Sequence, residues 1–280
     1  MMNEHLFVKI NGLKICYKMQ GEGKPVFLIH GLGVKKEFWI AQIGALSSKF
    51  KVIYFDLKGA GKSDRPSEPY TMETYIDEIR GLLNFLDITK AHFIGHSFGG
   101  MVLINFCLQY PDYVEKLVLM ATLPNWPKDP SGLESWKKNQ IELYEAALKN
   151  PVETFYTKMK LRLTRGFLKL MQEDPKKKFH DIFSAEDLIQ MGKIDPMKPR
   201  DIINMSNVMG THDTLDRLHE IKKETLIMAG EKDKLTPKAI SFKIKERIPN
   251  SIIKLFEGSH YFPLENAPEV NQTIIEFLEK

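Results

Sequence analysis

The chain has 280 residues, 43% of them hydrophobic, which fits one large α/β domain with a sizeable core. Its formal charge of +4 is mild, and basic and acidic residues are interspersed, so we expect no nucleic-acid partner. No segment approaches the ~20 apolar residues of a membrane span, and the first residues lack the apolar stretch of a signal peptide, so we expect a cytoplasmic protein without stable membrane insertion.

The first part of the chain alternates strand and helix patterns. Apolar residues at 7–10 and 13–19 flank an Asn-Gly dipeptide, which favours a tight antiparallel hairpin. Short apolar runs at 25–30 and 51–56 are typical of strands buried in a parallel sheet, and a helical segment separates them. Residues 71–86 then place their apolar side chains on one face of an amphipathic helix.

The same alternation continues beyond this helix. A short apolar run that begins at Ala91 and ends before Gly95 predicts a strand, a helix that ends near Pro111 follows, and another buried strand comes at 114–121. Strand patterns resume at 224–229 and 251–256, each followed by a helix. The pattern predicts an α/β fold with a doubly wound, mostly parallel sheet and helices on both of its faces.

A segment without a convincing strand separates the two parts of this pattern. Residues 122–209 contain several helical patterns, which predicts a helical insertion in a core domain made of residues 1–121 and 210–280. Within it, residues 137–178 hold eleven Lys or Arg and five Asp or Glu, a local excess of six positive charges. These charges fit a solvated helix face, and they also fit the attraction of anionic substrates or a membrane surface.

A serine in a glycine-rich turn carries the clearest chemical signal. Gly95-His96-Ser97-Phe98-Gly99 stands between a predicted strand and a predicted helix. Glycines two residues on either side of Ser97 allow backbone segments to approach a turn that is too tight for Cβ atoms. The pattern predicts a nucleophile elbow that exposes the Ser97 hydroxyl at the edge of the sheet.

A serine nucleophile requires a base and a third group that orients the base. In a fold with this elbow, the acid follows a later strand and the base precedes the last helix. Asp233 and His260 follow the last two predicted strands, so we predict Asp233 as the acid and His260 as the base. Glu231 is the local competitor for the acid, whereas His212 precedes Asp233 and has the wrong order for the base.

The loop His30-Gly31-Leu32-Gly33 follows another predicted strand and is suited to binding an oxyanion. We expect the backbone N–H groups of Leu32 and Phe98 to point at the oxygen that becomes negative in a tetrahedral intermediate. Phe98 also opens a helix, whose dipole favours negative charge at that end.

Metal and cofactor chemistry have no support in the sequence. The cysteines Cys16 and Cys107 show neither metal-ligand spacing nor a pairing pattern, and we interpret both as packing residues. Because no His or Cys cluster resembles a zinc site, we expect no metal and no cofactor.

Several segments together resemble the α/β-hydrolase superfamily over essentially the full chain. They are HGLG at 30–33, DLKGAGKSD at 56–64, GHSFGG at 95–100, GEKD at 230–233 and GSH at 258–260. The resemblance implies that residues 122–209 form a cap that roofs the active site and selects substrates. Residues 213–218 are similar to the segment that returns from the cap in enol-lactonase-like and carboxylesterase-like relatives, whereas Ala60 stands where relatives often have histidine.

A carboxylic-ester hydrolase is the function that these residues predict. Ser97 would attack the carbonyl of a small hydrophobic ester, with His260 as base and Asp233 as its orienting acid. Apolar character and proximity to the catalytic loops identify the candidates for the substrate pocket, although core packing explains any one of them equally well: Phe38, Trp39, Met101, Leu123, Trp126, Tyr261 and Phe262.

Other functions also fit these residues. A lactonase or a carbon–carbon bond hydrolase would use the same triad on a different carbonyl. A lipase-like enzyme would use the basic insertion at anionic interfaces, and a ligand receptor on the same fold would bind without forming product.

Overall fold

A central β-sheet organises the fold. The computed structural model describes residues 4–127 and 130–280, so residues 1–3 of the predicted core domain and 128–129 of the predicted insertion lie outside the described residues. The strands in the described residues are β1 (Leu6–Ile10), β2 (Leu13–Gln20), β3 (Pro25–Ile29), β4 (Lys51–Phe55), β5 (Ala91–His96), β6 (Val114–Met120), β7 (Thr225–Gly230) and β8 (Ser251–Phe256). They form one sheet in the order β1-β2-β4-β3-β5-β6-β7-β8, parallel except for the pairs β1/β2 and β2/β4. This confirms the predicted α/β fold.

Helices occupy most connections between the strands. The α-helices of the described residues are α1 (Ile40–Ser47), α2 (Met72–Phe85), α3 (Phe98–Gln109), α4 (Pro130–Lys149), α5 (Pro151–Met159), α6 (Arg165–Glu173), α7 (Ala185–Lys193), α8 (Pro199–Thr211), α9 (Lys238–Arg247), α10 (Phe262–Glu265) and α11 (Ala267–Glu279). Short 3-10 helices cover Lys36–Trp39, Pro111–Tyr113 and Leu215–Glu220. No helix among the described residues is both long enough and apolar enough to span a membrane.

Each face of the sheet packs against its own group of helices. In β3, Val26 and Leu28 belong to one apolar cluster and Phe27 and Ile29 to the other, and all four side chains are fully buried. The alternation follows from the two-residue period of a strand. Helices α2, α3 and α9 contribute to the cluster of Phe27, and helices α1 and α11 contribute to the cluster of Val26. Burial of both faces explains why the strands appear in the sequence as continuous apolar runs.

Five helices, α4 to α8, lie between β6 and β7 and are called the helical insertion below. Its two connections to the core run side by side. The amide of Trp126 donates to the carbonyl of His212 at 2.9 Å, and the amide of Thr214 donates to the carbonyl of Pro124 at 2.8 Å. The side chain of His212 also lies 3.1 Å from the carbonyl oxygen of Leu123. The insertion therefore leaves and re-enters the core at a single place, next to the carboxyl end of β6.

The short helix α10 has no counterpart in the sequence prediction. It has four residues and begins directly after the loop that carries His260. Its first residue, Phe262, is fully buried and stacks on Phe256 of β8, with ring centroids 5.1 Å apart. A single helical turn has no periodicity that a sequence pattern could reveal, because tertiary packing holds it in place.

Candidate active site

Ser97 sits in a sharp turn between β5 and α3. Its backbone has φ +54° and ψ −118°, a conformation that is uncommon outside glycine. The turn is held by the main chain: the Ser97 amide donates to the carbonyl of Met120 at 2.9 Å, and the Ser97 carbonyl accepts from Gly100 N at 2.9 Å and from Thr122 Oγ1 at 2.7 Å. The surrounding hydrogen bonds fix a half-buried serine at the carboxyl end of a central strand.

The glycines around Ser97 allow this turn to form. A Cβ atom on Gly95 would lie 2.7 Å from the carbonyl oxygen of Gly99, and a Cβ atom on Gly99 would lie 2.2 Å from the carbonyl oxygen of Ile29. Both distances are far shorter than normal contacts, and both neighbours are backbone atoms that cannot rotate away. The two glycines of the motif therefore let α3 approach β5 and β3 closely.

Asp233 and His260 meet at the same edge of the sheet, on the loops after β7 and β8. The Nδ1 atom of His260 lies 2.8 Å from Oδ2 of Asp233, and both residues are buried. Because a carboxylate oxygen accepts, Nδ1 carries the proton in this bond and Nε2 of the neutral ring remains the basic nitrogen. The structure thus brings together the two residues predicted as acid and base, and it places Ser97 at the carboxyl end of β5 in the same parallel sheet.

Asp233 is stabilised as a carboxylate by its surroundings. Its Oδ1 accepts from the amides of Leu235 at 2.8 Å and Thr236 at 3.0 Å, and its Oδ2 accepts from the Thr236 hydroxyl at 2.5 Å. Burial acts to raise the pKa of Asp233, but the charge of His260 and the hydrogen bonds from His260 and Thr236 outweigh it, so the pKa lies below its usual value. The competing acid Glu231 is exposed and lies 3.9 Å from Lys238.

The loop after β3 lies against the serine. A Cβ atom added to Gly31 would be 3.2 Å from Cβ of Ser97, which places residues 30–33 beside the elbow. His30 holds this loop: its Nε2 accepts from the amide of Leu57 at 3.1 Å, so its Nδ1 donates to the carbonyl of Gly31 at 2.8 Å. The amides of Leu32 and Phe98 have no hydrogen-bond acceptor within residues 4–127 and 130–280. Both donors remain available to a bound oxyanion.

A family model for the α/β hydrolase fold matches residues 24–267. The chain belongs to the α/β-hydrolase superfamily. The geometry above agrees with that membership, since the serine turn, the acid and the histidine follow β5, β7 and β8 in the chain order of this fold.

Proteins similar to this α/β hydrolase are named for different activities. The chain is 27% identical to a predicted carbamate hydrolase, RutD, of Caulobacter segnis, and the alignment covers 95% of this chain and 96% of the relative. It is 25% identical to a solved thermophilic esterase from Thermogutta terrifontis, with a TM-score of 0.81 and coverage of 99% and 98% of the two chains. An enol-lactonase from Burkholderia xenovorans LB400 has a TM-score of 0.83, 20% identity and coverage of 98% and 100%, a similarity that demonstrates the shared fold.

Two of the predicted pocket residues border a cavity in this hydrolase. A cavity of about 430 Å³ lies between the helical insertion and the core, and Phe38 and Tyr261 line it. Its lining also includes Gly33, which follows Leu32 in the loop after β3, whereas Ser97, Asp233 and His260 are not among its lining residues. The ring of Tyr261 stacks on that of His260, with centroids 5.8 Å apart.

The remaining pocket candidates are not among the residues that line this cavity. Trp39, Met101 and Phe262 are almost completely buried in the core. Leu123 is also buried, and Trp126 is a half-buried residue packed on the core near the base of the insertion. Core packing accounts for these five positions.

Three residues near the site of this hydrolase make contacts that the sequence patterns did not predict. Thr236 binds Asp233, as described above, and a hydroxyl three residues after an aspartate is a recognisable local pairing that could have indicated this contact. Glu265 accepts from the Ser259 amide at 2.6 Å and from the Thr164 amide at 2.7 Å, and so ties the His260 loop to the start of α6. Arg162 lies beside Tyr261. The contacts of Glu265 and Arg162 join segments about 100 residues apart, and no local pattern reports them.

His96, which precedes Ser97 in the glycine-rich motif, contacts the loop that carries His260. Its Nε2 lies 2.9 Å from the carbonyl oxygen of His260, and its ring lies against Phe38 with centroids 4.6 Å apart. Burial and the nearby His260 lower the pKa of His96 to about 3, so the ring is neutral and Nε2 donates this hydrogen bond.

The described residues contain no group of three or more His, Cys, Asp or Glu side chains that could hold a metal ion. Cys16 and Cys107 are buried free thiols. Asp56, in the segment at 56–64, is buried and accepts from Lys36 Nζ at 2.7 Å, so it has a structural partner.

Proposed function

We propose that this hydrolase cleaves carboxylic esters of small hydrophobic substrates through a serine acyl-enzyme. The observation that carries the proposal is the buried 2.8 Å hydrogen bond between Asp233 and His260, at the sheet edge where the strained turn presents Ser97. A histidine oriented by a carboxylate is the base that a serine hydroxyl needs before it can attack a carbonyl.

The reaction follows from the positions of these groups. His260 Nε2 accepts the proton of the Ser97 hydroxyl as its oxygen attacks the ester carbonyl. The amides of Leu32 and Phe98 donate to the oxygen that becomes negative in the tetrahedral intermediate. His260 then gives the proton to the leaving alcohol, and a water molecule activated in the same way releases the acid and restores the serine.

Asp233 acts through His260. Its hydrogen bond to Nδ1 holds the imidazole in one tautomer and stabilises the imidazolium that forms during each half-reaction. The lowered pKa of Asp233 keeps this carboxylate ionised at neutral pH.

The variant Ser97→Ala tests the proposal. We expect its kcat/KM for 4-nitrophenyl butyrate to fall at least ~10³-fold, because serine triads lose most of their activity with the nucleophile. Ser48→Ala is the matched control, since Ser48 is exposed and its hydroxyl binds only the carbonyl of Ala45 at 2.7 Å. A fluorophosphonate should add one covalent label to the wild-type protein and none to Ser97→Ala. Unchanged turnover in folded Ser97→Ala would refute the proposal.

A substrate panel separates ester hydrolysis from the other reactions that use this triad. We expect simple esters to give a higher kcat/KM than lactones, dienone acids or carbamates, each measured with wild type and Ser97→Ala. Faster Ser97-dependent cleavage of a lactone, a carbon–carbon bond or a carbamate would replace the ester assignment. Activation by anionic vesicles would favour a lipase-like enzyme, and saturable binding without product would favour a receptor.

A further inference from the structure

The cavity beside the catalytic loops has an unusual combination of lining groups. Most of its wall is apolar and comes from the helical insertion, with Phe155 and Met159 of α5 as examples. Yet Lys158 and Arg162, which are one helical turn apart, also line it, and Lys35 and Lys193 border it elsewhere. A cavity of about 430 Å³ has the size of a small-molecule site, and a few polar groups in an apolar wall usually fix the orientation of a ligand.

Arg162 is the more buried of the two cations. It is 8% exposed, and within residues 4–127 and 130–280 no carboxylate lies within ion-pair distance of its guanidinium. One of its nitrogens donates to the carbonyl of Lys158 at 2.8 Å. Four of its five N–H donors are left over, and a buried guanidinium is normally paired.

The position of Arg162 connects it to the catalytic histidine. Its carbonyl oxygen accepts from the amide of Tyr261 at 2.7 Å, and its guanidinium lies 5.9 Å from the centre of the Tyr261 ring. Tyr261 follows His260 directly and stacks on it. A group held by Arg162 would therefore lie one aromatic ring away from the side chain of His260.

Lys158 adds a second cation to the same wall. No carboxylate lies within ion-pair distance of its ammonium in the part of the chain that the structure describes. Burial and the neighbouring Arg162 lower the pKa of Lys158 to about 8. Two unpaired cations one helical turn apart repel each other, and an anion between them would remove this repulsion.

The carboxylates in the cavity wall have their own cations. Asp195 binds Lys62 at 2.9 Å, and Oε1 of Glu37 lies 3.2 Å from Lys36, while Oε2 of Glu37 is buried without a hydrogen bond in the described residues. Lys36 and Lys62 do not line the cavity. The lysines Lys138, Lys160 and Lys169 of the basic segment are exposed instead. Lys158 and Arg162 are the members of that segment that line the cavity.

We propose that Arg162, assisted by Lys158, binds a carboxylate on the substrate, remote from the bond that is cleaved. This inference rests on the proposed ester hydrolysis and names its substrate class: half-esters of dicarboxylic acids, whose free carboxylate reaches the cavity while the ester lies at Ser97. A guanidinium matches a carboxylate in geometry as well as charge, and the apolar wall suits the methylene chain between the two ends.

Matched esters test this assignment directly. We would measure kcat/KM for the mono-4-nitrophenyl esters of dicarboxylic acids with four to eight carbons. Each ester is compared with two analogues of equal length, one with a terminal carboxamide and one with a terminal ammonium group in place of the free carboxylate. Carboxylate and carboxamide have nearly the same shape, so their ratio reports charge recognition. For the best chain length, we expect wild type to prefer the carboxylate at least ~10-fold, the size of a charge-assisted hydrogen bond in a buried site.

Variants of Arg162 and Lys158 test which side chain recognises the carboxylate of the substrate. In Arg162→Gln the carboxylate-to-carboxamide ratio should fall to about one, mainly through KM, and Arg162→Lys should restore part of it. Lys158→Met should lower the ratio by a smaller factor. Lys160→Gln is the matched control, because Lys160 is exposed and outside the cavity wall, and should keep the wild-type ratio.

The outcomes separate this inference from the proposed function. A wild-type preference for the carboxamide or the ammonium ester, or equal ratios in Arg162→Gln and Lys160→Gln, would overturn carboxylate recognition while Ser97-dependent hydrolysis stands. If Arg162→Gln does not fold, carboxylate recognition is judged from two other results. They are the wild-type preference for the carboxylate ester and the carboxylate-to-carboxamide ratio of Lys158→Met. Absence of Ser97-dependent hydrolysis of every ester would refute the ester assignment, and calorimetric titration of Ser97→Ala with adipate would then test carboxylate binding alone.

Discussion

Strain and hydrogen bonding meet at Ser97. A non-glycine residue with φ near +54° holds about 1–3 kcal/mol of backbone strain, which the surrounding structure must offset. Here the offset comes from hydrogen bonds to its own main chain, including the one from Thr122 at 2.7 Å. The serine side chain takes part in none of these bonds, and so its hydroxyl stays available for chemistry.

Thr236 is expected to be a positioning residue for the acid. In Thr236→Val the 2.5 Å hydrogen bond to Asp233 Oδ2 is lost, while the amide of residue 236 still donates to Oδ1. Because a hydrogen bond to a charged group is worth about 1.5–3 kcal/mol, we expect kcat/KM for a simple aryl ester to fall roughly 10-fold. The pKa of Asp233 should rise because its ionised form loses a hydrogen-bond donor, so the loss of activity that accompanies protonation of Asp233 should occur at higher pH.

Thr273→Val is the matched control for this change. The Thr273 hydroxyl donates to the carbonyl of Glu269 at 2.8 Å within α11, outside the loops that carry Ser97, Asp233 and His260. Equal kcat/KM values and equal pH profiles for the two variants would show that Thr236 does not support Asp233.

At the scale of elements, the helical insertion is tied to the core by Asp201 of α8. This fully buried carboxylate accepts from the Tyr70 hydroxyl and from Arg65, both at 2.7 Å, and Arg65 also donates to the carbonyls of Gly59 and Gly61. Asp201→Ala would leave the Arg65 charge mostly buried without its partner. We expect a loss of about 3 kcal/mol in the free energy of unfolding, measured by urea denaturation.

Asp77→Ala gives the comparison for an exposed pair. Asp77 binds Arg80 at 2.9 Å, but both side chains are more than a third exposed. Such a pair contributes less than about 1 kcal/mol. If Asp201→Ala destabilises the protein no more than Asp77→Ala, the anchor between α8 and the core is not a significant source of stability.

Buried strands could be predicted from the sequence, whereas contacts between distant segments could not. The strand predicted at 51–56 matches β4, which covers Lys51–Phe55, because a run of apolar residues covered on both sides leaves a clear local signature. The meeting of Asp233 and His260 followed from chain order, since parallel strands bring their carboxyl ends to one edge. Glu265 and Arg162 could not be found this way, because their partners are set by how the insertion packs on the core.

For the whole molecule, buried histidines govern stability in mild acid. Burial lowers the pKa of His92 and His212 to about 4 and that of His96 to about 3, whereas a histidine in the unfolded chain has an ordinary pKa near 6.5. Between these values the unfolded chain binds more protons than the folded one. The contribution of these three histidines to stability is therefore complete above pH 6.5 and falls as the pH drops toward 4, by up to about 1.4 kcal/mol per pH unit for each histidine.

His92→Leu isolates one of these contributions. Both ring nitrogens of His92 are buried without a hydrogen-bond partner in the described residues, so leucine removes an unsatisfied polar group as well as a proton site. We expect urea denaturation to give a larger free energy of unfolding for the variant than for wild type at pH 5. At pH 8 the difference should be smaller. His219→Leu, at an exposed position, is the control. Parallel stability curves for His92→Leu and wild type would contradict this account.

The order of the proposed catalytic groups along the chain has a consequence for synthesis. His260 follows His96, the neighbour of the serine, by 164 residues. At translation speeds of about 5–20 residues per second, a growing chain carries its serine for roughly 8–30 s before its histidine is made. Until β8 and the loop after it join the sheet, a nascent chain has a hydroxyl without a base. Ribosome-bound chains halted before residue 260 should therefore be chemically inert toward esters in the cell that makes them.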